Sequence, residues 1–212
     1  MRAMAADDGI PKVRLDRFDN HTFDRGRPRW IEALWVVVGT LLASSLPGSG
    51  WRCALLRSFG AKLGDGVVVK PRLRVKFPWR LTVGDDSWLG EGVWIDNLAP
   101  VSIGQHCCVS QGAYFCTGSH SSRLPTFDLM TAPIVLDDQS WAAAFSVIGP
   151  GCRLGEGAIL QLGSVLITDA KPWTRYRGNP AEAYGERQVD CGVPDSSAEV
   201  STAPRKDDSA SA

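Results

Sequence analysis

From Leu63 to Thr168 an aliphatic or apolar residue returns every six positions, each followed by a small or acidic one. The units read LGDGVV, VGDDSW, LGEGVW, IDNLAP, IGQHCC and VSQGAY, then LDDQSW, AAAFSV, IGPGCR, LGEGAI and LQLGSV. No heptad produces this spacing. A fixed period of six, with Gly or Asp in second place and Ser, Ala, Val or Cys in fifth, predicts a stacked parallel β-helix. Each hexad supplies one short strand and a turn, three hexads close a coil, the apolar first residue points inward, and Gly lets the corner bend. A coil cannot bury its apolar residues alone, so stability is a sum of neighbour contacts and both ends need caps.

With 212 residues, 44% of them hydrophobic and 22% charged, the chain is long enough for one solenoid plus attachments. Lys and Arg number 23, as do Asp and Glu, which leaves no global field to recruit a nucleic acid. Six cysteines (Cys53, Cys107, Cys108, Cys116, Cys152 and Cys191) lack CxxC spacing and follow no secretory signal, which points to reduced thiols in a cytoplasmic protein.

Residues 1–15 are aperiodic and read as a mobile terminus, and RFDNHTFDRGRPRW after them reads as an ordered extended segment. Trp30 to Leu46 is an apolar run that Pro47 stops, and Trp51 to Phe59 is a second amphipathic run that ends at Gly60; both are expected to be helices. Residues 1–62 are therefore an N-terminal extension and helical cap over the first coil, with few large apolar residues left exposed. The first run is shorter than the roughly 20 residues that span a bilayer, so any membrane role is peripheral, at the inner face of the plasma membrane. There, Trp30, Trp35 and Trp51 would meet headgroups, with Arg52 and Arg57 beside anionic lipid.

Equivalent corners at Leu63, Val83 and Ile103 stand twenty apart, two more than three hexads require. Pro71, Lys76 and Pro78 predict an irregular first coil. From Ile103 to Leu136 the spacing jumps to thirty-three, so SHSSRLPTFDLMTAP (119–133) leaves the prism as a long loop. The solenoid runs over 63–188, and 189–212 is compositionally disordered.

Three histidines are present. His106 holds a turn position of its hexad and His21 lies in a polar segment, so both read as solvated. His120 stands where the chain leaves a rigid scaffold for its long loop, the place from which an imidazole can act as general base. Cys116, four residues before it, is a weaker candidate nucleophile in a small-residue slot. No metal-ligand spacing appears, and the GDG, GEG and GPG triplets lack the strand-loop-helix context of a phosphate cradle. Asp96 and Asn97, one coil below His120, and Tyr114 are candidate acceptor-binding residues, although Asp and Asn also suit a corner turn.

The segments FDRGRPRW, LLRSFGAKLG, EGVWIDNLAPVSIG, SQGAYFCTGSH and RGNPAE resemble the hexapeptide-repeat acyltransferases, and within them the colanic acid biosynthesis acetyltransferase branch, over about Asp16 to Arg187. This resemblance implies a left-handed parallel β-helix with an N-terminal helical cap, a homotrimer with active sites between subunits, acetyl-CoA as donor and no metal. It places His120 at the catalytic histidine that ends the CTGxH motif. It carries donor binding onto Trp141, Ala143, Ala144, Leu162 and Gly163, with Arg175, Arg177 or Arg187 meeting the CoA phosphates because Glu182 stands where relatives place a basic residue. Ser119, Ser121 and Ser122 depart from the branch around His120.

The expected activity is O-acetyl transfer from acetyl-CoA to a hydroxyl of a sugar or sugar-lipid in polysaccharide biosynthesis. The competing expectations are a noncatalytic β-helix scaffold and a serine or other small-molecule O-acetyltransferase.

Overall fold

In the computed structural model, which describes residues 12–190, the hexads form three parallel sheets around one core. The first face stacks Lys62–Leu63, Leu81–Val83, Val101–Ile103, Ile134–Leu136 and Arg153–Leu154. The second stacks Val68–Val69, Trp88–Leu89, Cys108–Val109, Trp141–Ala142, Ile159–Leu160 and Thr174–Gly178. The third stacks Arg74–Val75, Trp94–Asp96, Tyr114–Cys116, Val147–Ile148 and Val165–Leu166. First hexad residues lie above one another, as in the column Leu63, Val83, Ile103, Leu136, Leu154; the last four are buried in the core and Leu63 packs against it, partly buried. The result is a parallel β-solenoid. The expectations for residues 1–11 and for the tail from residue 191, Cys191 included, lie outside the described residues.

Most hexads turn a corner through one residue in the left-handed region, whether glycine (Gly66, Gly92, Gly112) or not (Asp86, His106, Phe145), whereas IDNLAP (95–100) has none. His106 is thus a corner residue, as its turn position suggested. At Gly112 the glycine is obligatory, because a Cβ would lie 2.5 Å from the Phe145 ring of the next coil.

The first coil is regular, contrary to expectation. Val68–Val69 and Arg74–Val75 pair in register with Trp88–Leu89 and Trp94–Ile95, and the surplus is absorbed at the corner, where Pro78–Arg80 form a short 3-10 turn. Its prolines sit in corners, where no ladder donor is required.

Below that coil lie helix α1 (Arg29–Leu42) and helix α2 (Gly50–Ser58). They satisfy the backbone of the exposed edge through side chains. Ser49 Oγ accepts from Val69 N at 2.8 Å, Trp35 Nε1 donates to Val75 O at 2.9 Å, and the Arg57 guanidinium donates to the carbonyls of Leu63 and Gly64. An open sheet edge without such partners is costly and adhesive. Helix α1 ends four residues earlier than expected because the chain turns at 43–49 around Arg52. That side chain is fully buried and donates to the carbonyls of Ser44, Leu46 and Gly48. Arg52 and the buried Trp35 are therefore core groups and cannot face lipid. The expectation of a mostly buried α1 also fails. Only Trp35 and Leu42 of α1 are buried, while Trp30, Leu34, Val36, Val37 and Leu41 are exposed. Among the described residues no helix is long and apolar enough to cross a membrane.

At the other end Thr174–Gly178 pairs antiparallel with Ala181–Glu186, and Tyr176 turns into the prism, its hydroxyl accepting from Lys171 N. The five cysteines within 12–190 are all free.

Candidate active site

The residues that leave the repeat build the site. The 119–133 excursion is a β-hairpin in which Gly118–His120 pairs antiparallel with Leu129–Thr131, His120 opposite Leu129. Its root is pinned by Thr117, fully buried, whose hydroxyl accepts from Ala99 N at 3.0 Å and donates to Asp96 O at 2.9 Å. Gly118 passes so close to Leu98 that a Cβ would lie 2.6 Å from Leu98 Cδ1. The hairpin therefore leaves the third-to-first edge of the prism in a defined direction.

His120, at the end of the first strand of the hairpin, is half-buried. Its Nδ1 lies 2.8 Å from the carbonyl oxygen of Phe127. A carbonyl can only accept, so Nδ1 carries the proton and Nε2 is left with a free lone pair. The Phe127 ring stacks on the imidazole at 4.4 Å and 6°, and Phe18 approaches edge-on at 5.4 Å. Phe127 itself sits at φ 52°, a strained conformation for a bulky residue and one that concentrates at functional sites. Neither phenylalanine was identifiable from sequence. Phe18 stands among interleaved aromatics with no period, and nothing local to Phe127 signals a left-handed backbone.

The other acceptor candidates separate. Asn97 is fully buried; its Oδ1 accepts from Phe77 N at 2.8 Å and its Nδ2 donates to Phe77 O at 2.7 Å. Its amide is spent within the prism, which corrects the expectation that it touches an acceptor. Asp96 lies on the outer side of the third face beside Tyr114, but it is largely covered, its buried Oδ1 3.1 Å from Lys76 Nζ. Tyr114 stacks on Trp94, and burial beside Cys116 and Asp96 pushes its hydroxyl far above the usual range, so it remains a donor. The Cys116 thiol donates to Gly118 O at 3.2 Å and has no imidazole partner that would activate it.

The residues carried over for the donor gather elsewhere. Ala143 and Ala144 stack beneath Leu162 and Gly163 at the second-to-third edge, with Gly163 N donating to Ala144 O at 2.9 Å. Above them Arg175 and Arg177 place their guanidinium carbons 5.0 and 4.7 Å from the Tyr184 ring. Trp141 lies on the adjoining second face, one rung below Ile159 and two below Arg175, its Nε1 donating to Ser110 Oγ. Arg187 is not with them. It donates to the carbonyls of Gln139 and Gly157 at the first-to-second edge, which removes it from the phosphate candidates. Within one chain, His120 and this set therefore occupy different edges of the prism.

No family model matches the chain. It is 36% identical over 166 residues to WcaF of Escherichia coli (strain K12), described as a colanic acid biosynthesis acetyltransferase, covering 78% of this chain and 91% of that protein. Galactoside O-acetyltransferase of the same organism is 21% identical over 138 residues, 64% of this chain and 68% of that protein. Among solved structures, a hexapeptide-repeat acetyltransferase of Vibrio cholerae O1 biovar eltor, complexed with acetyl coenzyme A, superposes with a TM-score of 0.70 at 25% identity. That match covers 76% of this chain and 89% of the other.

Proposed function

The chain belongs to the colanic acid biosynthesis acetyltransferase family of hexapeptide-repeat enzymes, and from this we propose that it transfers acetyl from acetyl-CoA to a sugar hydroxyl in polysaccharide biosynthesis. The observation that carries the reading is the His120 imidazole, with Nδ1–H held by the Phe127 carbonyl and Nε2 free to accept a proton. Nε2 takes the proton from the acceptor hydroxyl as that oxygen attacks the thioester carbonyl, and returns it to the departing thiolate. Two substrates held side by side supply the remaining advantage through orientation. Ala143, Ala144, Leu162 and Gly163 offer an edge lined by backbone for the pantetheine arm, and Arg175 and Arg177 offer cations for its phosphates.

That the donor set and His120 lie on different edges supports a composite site, in which one copy contributes His120 and a neighbour contributes the donor edge, in a homotrimer. The test replaces His120 with Ala and follows CoA release with a sugar acceptor. Turnover is expected to fall about 10²–10⁴-fold with acetyl-CoA affinity retained. Near-normal turnover would remove His120 from the role.

A further inference from the structure

The segment before α1 does not belong to the repeat, yet it is laid along the edge that carries His120. Arg14 N donates to Pro125 O at 2.7 Å in the hairpin loop, and Phe18 meets the His120 ring. Further along, Trp79 Nε1 donates to Arg25 O at 2.8 Å, and the Arg80 guanidinium donates to Asp24 O. The arm is thus tied at both ends, to the hairpin above and to the first coil below.

Between arm and edge run two cavities that share Phe23 and Thr131. One of about 360 Å³ includes Asp19, His21, Asp128 and Leu129 in its walls. The other, about 570 Å³, continues past Asp24, Arg27, Trp79 and Arg80. Both volumes fall in the range of small-molecule sites, about 300–1,000 Å³. Leu129 is directly opposite His120 in the hairpin, so their side chains leave the same face and the trough opens on the histidine's side.

We propose that the arm from Phe18 to Arg27 forms, with the hairpin, the acceptor site of the transferase: a trough for a carbohydrate whose hydroxyls bind Asp19, His21 and Asp128 at the His120 end. This rests on the acetyltransferase reading above. The wall chemistry selects the ligand class. Asp19 is already oriented, Oδ1 accepting from His21 N at 2.8 Å and Oδ2 lying 2.5 Å from His21 Nδ1, which leaves further lone pairs and the far ring nitrogen for hydroxyls. Asp128 faces them from the hairpin, and Phe23, stacked on Phe77, lines both cavities as their shared aromatic wall.

The experiment makes Asp19→Asn and Asp128→Asn singly in the full chain. Acetyl transfer is measured with methyl β-D-galactopyranoside, methyl α-D-glucopyranoside and maltose as acceptor probes, alongside acetyl-CoA affinity and thermal melting. The acceptor KM is expected to rise about tenfold or more in each variant, since each loses a charge-assisted hydrogen bond. The KM for acetyl-CoA and the melting temperature are expected to stay at the wild-type values. An unchanged acceptor KM in both variants, with wild type active, overturns the trough while leaving the enzyme reading intact. Wild type that binds acetyl-CoA but acetylates none of the sugars overturns the sugar reading and the trough together.

Discussion

The carbonyl of Phe127 accepts the Nδ1 proton of His120 at 2.8 Å, while the ring of the same phenylalanine lies parallel to the imidazole at 4.4 Å. One residue therefore fixes both the tautomer and the plane of the histidine. Its backbone at φ 52° is what turns the carbonyl toward the ring. Substitutions can separate the two contributions. Phe127→Gly tolerates the left-handed conformation and keeps the carbonyl in place, so turnover is expected to fall less than about tenfold. Phe127→Pro cannot adopt that φ and also loses the N–H bonded to Leu124 O, so its turnover is expected to approach that of His120→Ala. Steady-state kcat for both, with acetyl-CoA affinity as control, checks the ranking; equal activity in the two variants would show that the carbonyl does not position the histidine.

Asn97 is expected to matter for stability and not for the acceptor. Asn97→Ala strands the N–H and C=O of Phe77 in the prism and should cost about 3 kcal/mol, seen as a lower urea midpoint. The acceptor KM of the folded variant should match wild type. A raised acceptor KM with an unchanged midpoint would return Asn97 to the site.

Much of this architecture was legible because a solenoid repeats its physics. The period of six alone places Leu89, Val109 and Leu160 in one buried column, and the jump between Ile103 and Leu136 announces the excursion that carries His120. What was not legible depends on contacts between distant segments. Asn97 reads like any corner residue until its amide is seen on Phe77, twenty positions earlier. Arg52 looks like a surface cation of an amphipathic helix, yet it is buried beneath the carbonyls of the preceding turn. Phe18 reaches His120 across a hundred residues with no periodic signal to mark it.

Gly112 and Phe145 offer a test of how the coils stack. A Cβ at Gly112 would enter the Phe145 ring and sit at φ 67°, so Gly112→Ala is expected to destabilise by about 2 kcal/mol. In a Phe145→Gly background the steric part vanishes and only the backbone cost, about 1 kcal/mol, should remain. Urea denaturation of the four proteins gives the coupling; strictly additive effects would mean that ring and corner do not touch.

The proposed sharing of the site between copies can be tested by complementation. His120 leaves the third-to-first edge, while Leu162 and Arg177 stand on the second-to-third edge of the same chain. If each site takes its histidine from one copy and its donor edge from the next, two inactive proteins can repair each other. One partner is His120→Ala. The other is Leu162→Glu/Arg177→Glu, which sets two carboxylates where CoA phosphates and pantetheine are proposed to lie; both residues are exposed, so folding should be preserved. Unfolded together at equal concentration and refolded, subunits assort at random, and each site has an even chance of a sound residue at each edge. About one quarter of wild-type activity should therefore return, and none should return when the proteins are refolded separately and then mixed without exchange. Sites contained within single chains would give no recovery in either case, because every chain carries one lesion in its own site.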